Sequence, residues 1–139
     1  MSDTTWFSDE SASVIVDASP ADILAVVTNA PQLPAWNPAF SSVSRKDTGS
    51  FTVVVRGLLR GTLQYLDHPA GVTMSITVPG LTEHSNWEFS TPPTASPHSA
   101  KTLVTHRVRQ RGPLAAAIGT QEARRVPAKR LSRLAALFG

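Results

Sequence analysis

The sequence predicts an α+β protein in which a curved antiparallel sheet of six to seven strands wraps a long, kinked C-terminal helix, with two short helices after strand one. Three observations carry this. A short β-branched run, ASVIVD at 12–17, leads at once into a proline-marked helix start. From Phe40 to Arg111 hydrophobicity alternates with a period of two, broken at short intervals by turn residues. From Gly112-Pro113 to Phe138 the pattern takes a helical period.

The elements follow in order. Ser19, Pro20 and Asp22 form a helix start, with a serine cap, proline at the first helical position and a carboxylate facing the exposed amides. Ile23, Val26 and Val27 continue at helical spacing, and the pattern fades near Asn29. Pro31, Pro34 and Pro38 limit the next helical piece to about a turn, and LPAWNPAF at 33–40 places Trp36 on this stiffened segment. Strands are predicted over 40–46, 51–56, 60–67, 71–78, 83–90 and 100–110. DTGS, Gly57, HPAG and Pro79-Gly80 serve as turns, and the proline-rich 91–99 is the loop of greatest expected mobility. In the last element Leu131, Leu134 and Phe138 share one side, whereas Leu114 and Ile118 point well away from it. The helix should therefore bend at Gly119 or Pro127.

One domain spanning 1–139 accommodates all of this. There is no cysteine, hence no disulfide framework and no thiolate nucleophile. The histidines show no ligand-like spacing, and neither a metal nor an organic cofactor is expected. No run of eighteen apolar residues occurs, and MSDTTWFSDE lacks a basic segment followed by an apolar one, so a cytoplasmic protein is expected. No glycine-rich phosphate loop, readable catalytic triad or paired inward carboxylates support hydrolytic or phosphoryl-transfer chemistry. The net charge of +3 is unevenly spread, at about −4 over residues 1–106 and +7 over 107–139.

Strand parity sorts the sheet into an apolar and a wet face. Phe51, Val53, Leu63, Tyr65, Met74, Ile76, Trp87, Phe89, Val104 and His106 fall on the apolar one. Such a face needs a cover, and the only long amphipathic helix available is 113–138. A strongly curved sheet around a single helix should leave a hollow.

This order of elements, with VIVDASPADILAVVTNAPQLPAWNPAF at 14–40 and the terminal KRLSRLAALFG, resembles the SRPBCC superfamily: START, polyketide cyclase and birch-pollen-allergen proteins of helix-grip fold. The resemblance spans nearly the whole chain. It implies binding of a hydrophobic small molecule, lipid-like or aromatic and polyketide-like, between the sheet and the C-terminal helix. Trp36, Phe40, Leu131 and Leu134 join the ten inward sheet residues as its candidate lining. The same composition also describes a plain hydrophobic core.

His106 and Tyr65 are the candidates for proton transfer, should the chain act as a cyclase or aromatase on a bound polyketide. Each also has a plain structural reading, His106 as a buried histidine satisfied by a carbonyl and Tyr65 as a hydroxyl at a cavity mouth. Arg56 and Arg60 fall on the wet face, so the inward arginine that the cyclases lead one to expect is not evident. A third reading makes the C-terminal helix a docking surface, with Arg125, Lys129, Arg130 and Arg133 facing an anionic surface or partner. It lacks interleaved aromatics, so specific nucleic-acid binding is not expected.

Overall fold

A computed structural model describes residues 6–93 and 100–139. Seven strands form one antiparallel sheet: β1 (Ser8–Val16), β2 (Phe40–Asp47), β3 (Ser50–Val55), β4 (Leu59–His68), β5 (Gly71–Val78), β6 (Leu81–Ser90) and β7 (Thr102–Arg111). Their spatial order is β1-β7-β6-β5-β4-β3-β2, so β2 to β7 form a meander and β1 closes onto its far strand. Most of the expected loop at 91–99 lies outside the described residues.

Helix α1 (Pro20–Val27) begins as its sequence requires. Ser19 is extended, its hydroxyl accepts from the Asp22 amide at 3.2 Å, and Pro20 occupies the first turn. A 3₁₀ turn (Ala30–Gln32) and the four-residue α2 (Leu33–Trp36) follow, each limited by the prolines. The C-terminal element is two helices, α3 (Pro113–Ile118) and α4 (Thr120–Ala136). Of the two predicted break points the chain uses Gly119, at φ 91° and ψ 162°, and α4 runs on through Pro127. Glycine reaches that backbone region without a Cβ clash, whereas Pro127 removes one donor and crowds the preceding turn within a helix that buried Leu131 and Leu134 hold against the sheet.

At about 26 Å, α4 is shorter than the roughly 39 Å of one unbroken helix. It lies mainly against β1 and β7, while the 3₁₀ turn and α2 pack on β2. Tyr65, on β4, donates its hydroxyl to the Val27 carbonyl at 2.7 Å and so ties α1 to the sheet. Beneath the covers the predicted face is buried: Val53, Leu63, Met74, Trp87, Val104, Leu131 and Leu134 are each 1 % exposed or less. Trp36 packs edge-on against Trp87, with ring centroids 5.5 Å apart at 73°. Trp87 in turn stacks on His106 at 3.6 Å and donates to the Met74 sulfur at 3.2 Å. The middle of the sheet is therefore a packed core, and open space is found at one end of it.

Gly119→Ala would force a side chain into a backbone region reserved for glycine. A loss of about 1–3 kcal/mol in chemical denaturation is expected. An unchanged midpoint would show that the helix break can relax into an ordinary turn.

Candidate functional site

A partly open cleft of about 260 Å³ lies at the end of the sheet where β3 finishes and β6 begins. Phe40, Val55, Ile76 and Leu81 form its apolar sheet wall, with Ile118 and Val126 opposite. Pro38 and Ala39 close one side, and Ile118 and Glu122 flank the break at Gly119. Re-aiming the chain at that glycine leaves α4 beside the gap rather than in it.

The floor is polar. Glu83, Gln110 and Arg130 line it, and their residues are only 3 %, 6 % and 4 % exposed. Arg130 Nη1 donates to Glu83 Oε2 at 2.8 Å and Nη2 donates to Oε1 at 3.0 Å, a two-pronged pair across the interface of α4 and β6. Gln110 Nε2 donates to Glu83 Oε1 at 2.9 Å. Burial alone would raise the Glu83 pKa, but the Arg130 charge and these hydrogen bonds outweigh it and hold the carboxyl at about 2.

His106 lies behind this pair. Burial, followed by the Arg130 charge, pushes its pKa down to about 3, so the ring is neutral. Its Nδ1 sits 3.0 Å from the Asn86 carbonyl, which can only accept, so Nδ1 carries the proton. Nε2 is then left as an acceptor facing Arg130 Nη1 at 3.4 Å. Both ring nitrogens are thus engaged within the protein, and neither lines the cleft. Tyr65 is likewise committed to Val27, and burial raises its phenol pKa. Both candidate proton-transfer groups thus direct their polar atoms to partners within the protein.

Of the fourteen candidate lining residues, Phe40 and Ile76 border the cleft. Trp36, Phe51, Val53, Leu63, Met74, Trp87, Val104, His106, Leu131 and Leu134 are buried, while Tyr65 and Phe89 are partly buried. Two expectations need correction. Arg130 is not part of an exposed cationic row: it is buried and paired, whereas Arg125, Lys129 and Arg133 are exposed. An inward arginine does exist, and it comes from the helix rather than from Arg56 or Arg60.

Glu83 and Gln110 escaped the sequence reading and Arg130 was assigned to the exposed cationic face, although parity and spacing carried the signal. Glu83 shares the parity of Trp87 and Phe89, and Gln110 that of Val104, His106 and Val108. Arg130 stands three residues after Pro127 and four before Leu134, within the apolar stripe. Polar residues in such rows read as edge positions unless their partner is known.

A family model described as polyketide cyclase / dehydrase and lipid transport matches residues 10–139. Among solved structures, the chain is similar to a START superfamily protein from Mycobacterium smegmatis, at 16 % identity and TM-score 0.66 over 92 % of each chain. It is also similar to XoxI from Bacillus cereus, at 14 % identity and TM-score 0.71, covering 95 % of this chain and 96 % of that one. The lipid transfer and protein localization domain of human StarD13 aligns at 15 % identity and TM-score 0.65, over 93 % of this chain and 76 % of that domain. Identities this low speak to the fold alone. No protein in the curated comparison matches. Among the described residues no helix is long and apolar enough to cross a membrane.

Two outcomes test the buried network. Arg130→Met strands the Glu83 carboxylate in the interior and should cost about 3–5 kcal/mol. The double change Glu83→Leu with Arg130→Met should cost less than the single one; a strictly additive cycle in urea denaturation would refute the coupling. Stability should also depend on pH in a definite direction. The folded pKa of His106 lies below its ordinary 6.5, so its contribution is complete above pH 6.5 and is lost as pH falls toward about 3. Glu83 adds to the loss between 4.5 and about 2. Unfolding free energies from urea titrations between pH 7.5 and 4 should fall with a slope approaching about 1.4 kcal/mol per pH unit, and His106→Gln should flatten the upper part. A wild-type profile flat from pH 6.5 to 5 would contradict the assignment.

Proposed function

The chain belongs to the polyketide cyclase / dehydrase and lipid transport family, a family that suggests hydrophobic ligand binding, and from that premise we propose that it holds a hydrophobic small molecule in the cleft between the sheet end and α4. The observation that supports this is the cleft itself, with apolar walls from Phe40, Val55, Ile76, Leu81 and Val126 over the Glu83–Arg130–Gln110 floor. A largely apolar hollow with a few convergent polar groups is the usual form of a small-molecule site. Its size, near the lower end of the usual range of roughly 300–1,000 Å³, favours a slender ligand or one end of a longer one.

Binding is favoured over turnover. Glu83 holds its charge against three donated hydrogen bonds, and His106 has both nitrogens engaged, so neither is poised to exchange a proton with a guest. The exposed Arg125, Lys129 and Arg133 have no ion-pair partner among the described residues, which supports contact with an anionic surface beside the cleft.

Val126→Trp would fill the cleft from a half-buried wall position. It should weaken binding of an apolar fluorescent probe at least about tenfold while leaving the denaturation midpoint within about 1 kcal/mol of the parent. Undiminished probe binding would move the site elsewhere on the protein.

A further inference from the structure

The charges around the cleft are not balanced, and the imbalance sits at its mouth. Five charged residues line it: Arg56, Lys129 and Arg130 against Glu83 and Glu122. Arg130 and Glu83 neutralise one another on the floor. That leaves Arg56 on the sheet side and Lys129 on α4, both exposed, against the exposed Glu122, for a net charge of +1. None of these three side chains has an ion-pair or hydrogen-bond partner among the described residues.

Arg56 is an unusual choice for its position. It has φ 55°, whereas every other residue with positive φ among those described is glycine. It opens a tight turn in which the Leu58 amide donates to the Val55 carbonyl at 3.2 Å and Gly57, at φ 71°, follows. Such a turn favours asparagine or glycine at both central residues, and a long branched-headed side chain there carries backbone strain. The Arg56 side chain makes no hydrogen bond, ion pair or ring contact among the described residues that would offset this strain, and it stands on the cleft wall.

We propose that the cleft takes an amphiphile whose head carries negatively charged oxygen, a carboxylate or a phosphate, and that Arg56, with Lys129 opposite, determines this specificity. The apolar tail lies against Ile76, Leu81 and Val126, and the head stays at the mouth, where the guanidinium can donate two parallel hydrogen bonds to it. The self-neutralised floor gives an anion no reason to enter head first. This inference rests on the ligand-binding reading above.

The test is a displacement titration of the full chain with four probes of equal tail length: decanoate, decyl phosphate, decanol and decyltrimethylammonium. Decanoate or decyl phosphate should bind about tenfold or more tightly than decanol, and the cation most weakly; which anion leads separates a fatty-acid head from a phosphate head. Arg56→Asn fits the turn at least as well, so its thermal midpoint should stay level or rise. Its preference for the anion over decanol should nevertheless collapse toward one, and Arg56→Lys should restore part of it. Equal binding of decanoate, decyl phosphate and decanol by the parent, or an Arg56→Asn variant that keeps the preference, would overturn the specificity and leave the ligand-binding reading standing. Failure of all four probes to bind would overturn both.

Discussion

The contact between Glu83 and Arg130 is the constraint on which the rest of this structure depends. It joins the start of β6 to the middle of α4, both charges are nearly fully buried, and two hydrogen bonds fix its geometry. Removing two charges from water costs several kcal/mol for each ion, so such a pair is tolerated only when the remaining lone pairs find donors. Gln110 supplies the third hydrogen bond to the carboxylate and His106 accepts from the guanidinium. The pair thereby fixes α4 against β6 and orients the side chains of Gln110 and His106, whose neutral state follows first from burial and then from the Arg130 charge.

That constraint also divides the interior. On one side lie Trp36, Trp87, His106 and Met74, in ring-to-ring and sulfur contacts that leave no room for a guest. On the other side the helix break at Gly119 and the proline-limited segment before Phe40 hold their elements apart, and the cleft is what remains. A helix-grip protein need not be hollow beneath its whole sheet. In this chain the aromatic residues make the centre solid, and the small end cleft is the space that remains. Trp36, the residue that the proline-framed segment singles out, thus works mainly as a core plug, while Pro38, Ala39 and Phe40 directly after it form the wall.

Much of this was legible without coordinates. Ser19 and Pro20 mark the start of α1, the alternation in 71–78 assigns Val72, Met74, Ile76 and Val78 to the interior, and the helical wheel of 113–138 signals a break. These rest on contacts between residues close along the chain, where period and turn chemistry are direct physical signals. The first strand proved longer than ASVIVD suggests, because SDES at 8–11 gains its pairing only from β7. Arg130 was misplaced for a similar reason. Its partner stands 47 residues away, and a cation is assigned to water unless a buried carboxylate is known to await it.

The sequence by itself determined the fold class, the order of the elements, the inward face of the strands and the place of the proline-framed tryptophan, because each follows from local conformational preference and hydrophobic period. The tertiary structure alone decided which inward residues pack solid and which border open space, that His106 is neutral and enclosed, and that Glu83, Gln110 and Arg130 form the floor of the cleft. Those outcomes depend on distances between strands and helices far apart in the chain. At that range the balance of desolvation against pairing is set by geometry, which residue type and spacing do not encode.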